Sequence, residues 1–265
     1  MKNIIFIEGV SGVGKSTTVQ KLSERLRSLG YSTICHVEGD SDSPLDLCWV
    51  AYLDKSEYEN LLVSYPMFSD VLSKNIIYKD EYILLRYQIE RTPLYSQELH
   101  EKLQKLEFCY NPVNNVVPLS RFTEVFVNLW KQFTKSDAIK CDYAIFDASL
   151  VAHMTNDLIR NYNASKVELV NHLEKLLQTI HSLNPIIFYL SSEDVRERLI
   201  KARRSRGQTY PDDERIKFWE KRKQMDLAVI PDLFVKSQMI DIINDDWDSV
   251  VSEIVSQLTN EHTPL

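Results

Sequence analysis

The sequence predicts an α/β fold: a doubly wound, mostly parallel five-stranded sheet between helical layers, interrupted by a helical insertion. Three observations predict it. Short apolar runs recur along both ends of the chain, at IIFI (4–7), TICHV (33–37), YAIFD (143–147), IIFYL (186–190) and MIDII (239–243). Each is strand length and rich in β-branched or aromatic residues, and unbroken apolar character suits a parallel strand buried on both faces. Helical spacing fills the intervals, as the doubly wound class requires. Three of the six glycines (Gly9, Gly12 and Gly14) fall in one loop directly after the first run.

The first helix covers 15–28, with Val19, Leu22, Leu26 and Leu29 at helical spacing and Gly30 as its terminating residue. A second stripe, Val167, Val170, Leu173, Leu176, Leu177 and Ile180, spans 165–182. A third closes the chain over 247–258 through Trp247, Val250, Val251, Ile254, Val255 and Leu258. From about 45 to 140 the pattern changes. Aromatic residues and leucines recur among charges, as in SEYENLLVSYPMFSDVL and RFTEVFVNLWKQF, without a convincing strand. The expected organisation is a core of 1–44 and 138–265 around a mostly helical insertion, 45–137.

Composition narrows the function classes. A net charge of −7 and 26% charged residues describe a soluble acidic protein that nucleic acid and anionic membranes would repel. The four cysteines, Cys35, Cys48, Cys109 and Cys141, are too dispersed for a zinc site or a disulfide framework and suit a reducing cytosol. The run IIFI ends at Glu8, too short for a signal-peptide core or a membrane span. The expectation is a cytoplasmic protein with a small-molecule partner; a homodimer is compatible with it.

The loop GVSGVGKS, Gly9 to Ser16, satisfies G-x-x-x-x-G-K-[ST] between an apolar strand and an amphipathic helix. Glycines allow positive φ and let backbone N–H groups close around phosphate oxygens, and the following helix adds the positive end of its dipole. Gly9, Ser11, Gly12, Val13, Gly14, Lys15, Ser16 and Thr17 are therefore expected to hold a nucleoside triphosphate, taken to be ATP. Lys15 would reach the β- and γ-phosphates, and the Ser16 hydroxyl would ligate Mg2+. The fold is then a P-loop NTPase three-layer sandwich.

The stretch IIFIEGVSGVGKSTTVQKLSERLRSLGYST resembles the opening of thymidylate kinases and the related deoxynucleoside kinases. The resemblance continues in order through Glu38 after the second strand, Asp147 ending the third and an Arg-rich segment after the fourth. It covers roughly 1–40 and 140–258. It departs at Val37-Glu38-Gly39, where thymidylate kinases carry Arg-Glu-Pro, and at Asp147-Ala148, where they carry Asp-Arg. The resemblance thus implies a small-molecule kinase and leaves the acceptor open.

Asp147 ends Ala144-Ile145-Phe146 in the manner of a Walker B carboxylate and would hold Mg2+ beside Ser16; the alternative is a helix cap. Glu38 and Asp40 follow the second strand, where carboxyl ends face the ligand crevice, and either could orient or deprotonate an acceptor. The alternative is a solvated acidic turn, and Asp42 and Asp46 are read as loop charges. Between 196 and 206, Arg196, Arg198, Lys201, Arg203, Arg204 and Arg206 stand against Glu197 alone. Kinases of the resembled kind place an arginine-bearing lid there, expected over 191–212, with Arg203 and Arg206 at the phosphoryl group and Arg198 and Arg204 on the nucleotide. The expected activity is transfer of the γ-phosphoryl group of ATP to a hydroxyl or phosphate of a nucleoside, nucleotide or hydroxylated metabolite. The alternative is a regulatory ATPase whose insertion binds a protein.

Overall fold

The computed structural model describes residues 3–40, 43, 45–89, 92–109, 111 and 117–260. In chain order the strands are β1 (Asn3–Gly9), β2 (Thr33–His36), β3 (Val50–Leu53), β4 (Ile76–Lys79), β5 (Ile83–Arg86), β6 (Gln88–Ile89), β7 (Thr92–Pro93), β8 (Tyr143–Asp147), β9 (Pro185–Ser191) and β10 (Lys236–Asp241). The helices are α1 (Lys15–Ser28), α2 (Lys55–Ser64), α3 (Ser69–Lys74), α4 (Gln97–Gln104), α5 (Leu119–Phe133), α6 (Val151–Tyr162), α7 (Lys166–Ile180), α8 (Val195–Ser205), α9 (Asp213–Val229) and α10 (Trp247–Asn260). They divide into two compact units: Met1–Glu38, Thr123–Asn156 and Ser165–Leu265 form one, Gly39–Phe122 and Asp157–Ala164 the other.

The first unit holds the parallel sheet, in the order β10-β9-β1-β8-β2. All seven residues of β1 are buried, as expected for a strand with helices on both faces. β1 is central: Ile5 pairs with Ile145 of β8 on one side and Ile186 of β9 on the other. The chain adds β2 and β8 on one side of β1, then β9 and β10 on the other. The carboxyl end of β1 therefore lies at a topological switch point, where crossovers part to leave a crevice. One core packs Val19, Leu22 and Leu26 of α1 with Val250, Ile254 and Leu258 of α10 against the sheet. On the other face, Trp130 of α5 meets Phe6 edge-on at 5.7 Å and also contacts Phe146.

That aromatic contact explains a boundary. The sequence places all of 45–137 in the insertion, but residues from Thr123 onward belong to the sheet unit, because the apolar face of α5 supplies Phe126, Leu129, Trp130 and Phe133 to a buried core. Residues 157–164 join the second unit instead.

The second unit corrects the expectation of a region without strands. It contains an antiparallel sheet in the order β3-β5-β4 and a small β6–β7 ladder beside helices α2, α3 and α4. Its core joins Leu53 and Leu85 of the sheet to Tyr58, Leu61, Leu72 and Leu99 of the helices. The strands VAYL, IIYK and ILLR have four residues each, too short for alternation to show. Asp46 is not a solvated loop charge: it is buried and accepts the Gly39 and Cys48 N–H groups at 3.0 and 2.9 Å. Asp42 lies outside the described residues. Among the described residues no helix is long and apolar enough to cross a membrane.

Candidate functional site: a phosphate-binding loop between two lobes

The loop leaves β1 at Gly9 and turns into α1 at Gly14, its N-cap, with φ 92° and ψ 20°. That left-handed conformation excludes most side chains, and an added Cβ there would also strike the Trp247 ring. Gly12 is held by proximity: a Cβ would stand 2.6 Å from the Arg198 carbonyl of α8. No side chain caps α1, so its first amides are open to an anion. Val13 contributes backbone only, since its side chain is buried in the core. Lys15 is buried along the loop, its Nζ donating to the Val10 carbonyl at 3.2 Å.

Parallel pairing places Asp147 opposite Ile7 of β1. The Ser16 hydroxyl donates to Asp147 Oδ2 at 2.5 Å, and Asp147 Oδ1 is buried without a hydrogen-bond partner. A buried acceptor with no donor suits a cation, because leaving it bare costs about 1–3 kcal/mol. Among the described residues no group of three His, Cys, Asp or Glu side chains could hold a metal unaided. One hydroxyl and one carboxylate match a Mg2+ ion that keeps most of its ligands from water and substrate phosphate. Ala148, which follows, has φ 58°, a strained value for a residue with a Cβ.

The cleft around the loop has two lobes of about 330 and 290 Å3. The first is bounded beyond the loop by Arg198, Lys201, Ala202, Ser205, Asp245 and Trp247. The second is bounded by Ala148, Ala152, His153, Asn156, Trp219 and Arg222. Ser11, Lys15, Ser16, Glu38 and Arg206 line both, and Thr17 lines only the first.

The lid arginines separate by position. Arg206 reaches the shared wall. Arg198 pairs with Asp245 and donates to Ser192 Oγ at 3.1 Å, while Lys201 takes the other Asp245 oxygen. Arg203 turns away to donate to the Thr209 carbonyl at 2.5 Å, and exposed Arg204 lines neither lobe. Of the two arginines expected at the phosphoryl group, Arg206, the residue that ends α8, lines both lobes and Arg203 lines neither.

Glu38 closes the shared wall. The His153 imidazole, Nε2 at 3.7 Å from Glu38 Oε1, holds the carboxyl well below the usual carboxylate range, with Lys15 and Arg206 adding to the effect. Asp40 opens the second unit, its carbonyl accepting the Ser43 N–H at 2.9 Å.

Several residues here carried no signal in the sequence. Glu8, fully buried, accepts the N–H groups of Leu150, Val151 and Ala152 at 2.9, 3.0 and 2.7 Å and so caps α6. Burial pushes its carboxyl up, and the three amides pull it back. Arg222, also buried, donates to the Ala152 and Gly9 carbonyls, each at 2.9 Å, and to Asp226 at 2.8 Å. Tyr189 donates to the same Asp226 oxygen at 2.9 Å. The Arg222 guanidinium lies 5.0 Å from the centre of the Trp219 ring. Glu8 and Arg222 both bond the first turn of α6 at Ala152, and Arg222 ties it to Gly9 at the start of the loop. A lone Glu before a glycine loop and an Arg inside a charged helix look ordinary until the fold brings their partners in.

No protein-family model matches the chain. It is similar to the vacuolar protein sorting-associated protein 16 homolog of Drosophila melanogaster at 24% identity over 198 residues, 61% of this chain and 24% of that protein. The chain thus spans about a quarter of that relative's length. Among solved structures it is similar to the YorR protein of Bacillus subtilis, in complex with phosphorylated GDP. That likeness has a TM-score of 0.48 and 14% identity, covering 99% of this chain and 100% of the other. Neither likeness bears on function, which rests on the site's own geometry.

Proposed function

We propose that the chain is an ATP-dependent phosphotransferase acting on a small acceptor in a reducing, cytoplasmic setting. The observation that carries this reading is the wall shared by the two lobes: Lys15, Ser16, Glu38 and Arg206 face both. A nucleotide in the first lobe and an acceptor in the second would meet across these groups. A pure nucleotide switch has no use for a second lobe fitted with a carboxylate and an imidazole.

Lys15 and the first amides of α1 bind the β- and γ-phosphates, exchanging the Val10 carbonyl for phosphate oxygens. Arg206 stabilises charge on the transferring group, since guanidinium forks match phosphate oxygens. Glu38, kept ionised by His153, accepts the acceptor's hydrogen bond and aims it at the γ-phosphorus. Ser16 and Asp147 would hold Mg2+, which supplies charge neutralisation at the phosphates. Asp245 and Trp247 bound the nucleotide lobe at the far side of the loop.

The test is transfer of label from γ-labelled ATP, with and without Mg2+, into a dialysable cell-metabolite fraction and separately into the macromolecular fraction. The proposal expects Mg2+-dependent labelling of a dialysable product. Stimulated ATP hydrolysis with the macromolecular fraction alone, and no labelled small molecule, would replace it with the regulatory-ATPase reading.

A further inference from the structure

We infer that the β10 edge of the core sheet is a pairing surface for a second copy of this chain, joining the two parallel sheets about a two-fold axis. Among the described residues β10 is the last strand of that sheet, paired with β9 alone. The Ile242 N–H donates to the Ser191 carbonyl at 2.8 Å, so by the alternation of a parallel ladder the backbone groups of Ser237, Met239 and Asp241 face outward. Such a row of donors and acceptors is a template for another strand. Proteins blunt it with proline, a bulge or a charge along the strand. In β10 the charges, Lys236 and Asp241, stand only at the two ends.

Side chains mark the same edge. Of the eight large apolar side chains exposed among the described residues, three lie here: Phe234, Met239 and Ile243, exposed by 91, 52 and 69%. The strand at the opposite edge, β2, has none. Gln238 and Ile240 turn toward α10, the first donating to Glu253 at 2.6 Å and the second packed in the core. That leaves Met239 and Ile243 on the other face, in line with half-buried Val235.

Self-complementarity identifies the occupant. A two-fold axis normal to the sheet pairs residues on the same face, and the outward backbone groups are those of Ser237, Met239 and Asp241. Centred on Met239, two antiparallel copies set Met239 against Met239, Ser237 against Asp241 and Val235 against Ile243. Apolar side chains meet apolar ones, and the serine hydroxyl meets a carboxylate. Moving the centre by one residue in either direction sets Asp241 against Val235 or Met239 instead. The antiparallel sense also brings the Lys236 end of each strand to the Asp241 end of the other, where a parallel copy would put like charges side by side.

The test is sedimentation velocity of the unmodified protein, Met239→Lys and Met239→Glu over about 5–500 μM, a range that brackets a small, weak interface. Residue 239 faces its own copy, so either variant alone places like charges opposite each other, whereas an equimolar mixture places Lys opposite Glu. The unmodified chain should form a particle of twice the chain mass as concentration rises. Each variant alone should dimerise about tenfold more weakly, and the mixture about threefold more tightly than either variant. Ile243→Glu, at a more exposed site, should weaken the dimer as well, and melting curves check that every variant is folded. A monomer across the whole range overturns the inference. So does a dimer that none of these variants weakens, or a mixture no tighter than Met239→Lys and Met239→Glu alone.

Discussion

Arg222→Met removes the cation from a pair in which Asp226 is fully buried and Arg222 nearly so. Breaking one side of such a pair costs about 3–5 kcal/mol, because the remaining charge is left without compensation. The upper part of that range applies here, since the Gly9 and Ala152 carbonyls lose their donors as well. At ~2–4 °C per kcal/mol for a chain of this size, the melting temperature should fall by about 8–20 °C. The loss should also depend on pH, with a sign the structure dictates. Burial already pushes the Asp226 carboxyl up, and Arg222 is the main influence restraining it. Without Arg222 the folded-state pKa climbs further above the unfolded value of about 3.9. A raised carboxyl contributes stability that is fully present below the unfolded pKa and lost as pH rises through the folded pKa. The deficit of the variant should therefore be larger at pH 8 than at pH 5. Arg222→Met/Asp226→Asn should recover part of it, since the amide leaves an acceptor for Tyr189 without the charge. Thermal melts of the three proteins across that range are the assay. A pH-independent deficit, or a fall of less than about 3 °C, would refute the buried-charge account.

Asp147→Asn should leave stability within about 1 kcal/mol, because the amide oxygen still accepts from Ser16, while moving the Mg2+ titration of the transfer rate to higher concentration; an unchanged titration would make Asp147 structural. Arg206→Ala should lower single-turnover transfer about 100-fold, and Arg203→Ala much less, since of these two Arg206 lines the lobes and Arg203 does not; equal effects would mean that the lid rearranges before transfer. In the second unit, burial pushes the Glu107 carboxyl up to about 8. Its contribution to stability is fully present below the unfolded value of about 4.3 and lost as pH rises through about 8. Glu107→Gln should therefore flatten the melting profile between pH 5 and 8 and raise stability at pH 8, and a parallel profile would refute the assignment.

The centre of the sheet was legible because β1, β8 and β9 are nearly unbroken apolar runs buried on both faces, with no alternation to hide them, whereas the edge strand β10, KSQMID and mostly exposed, overlaps the apolar run 239–243 only at its end. The loop was legible because Gly12 and Gly14 meet backbone and ring contacts that no other residue tolerates. Asp147 and Ser16 could be paired from chain order alone, since a Walker-type strand lies beside β1. The strands of the second unit were not legible: runs of four residues or fewer, such as VAYL, IIYK and ILLR, read equally well as helix. Nor was the acceptor lobe. His153 comes from α6, after β8, and Trp219 and Arg222 from α9, after β9, and each looks local and unremarkable in the chain. Arg203 and Arg206 show the finer limit, because composition identifies a basic lid while only the end of α8 decides which arginine faces the cleft.

The central claim is that the loop drives phosphoryl transfer, and Lys15→Ala tests it most directly when Mg2+-dependent transfer and the melting curve are measured on the same preparation. Lys15 is buried with its Nζ donating to the Val10 carbonyl, and its ammonium serves the loop rather than the apolar core. The account predicts a fall in transfer of more than about 100-fold, several kcal/mol of lost transition-state stabilisation, with little change in melting temperature. Transfer within about tenfold of the unmodified protein, with the fold intact, would contradict it.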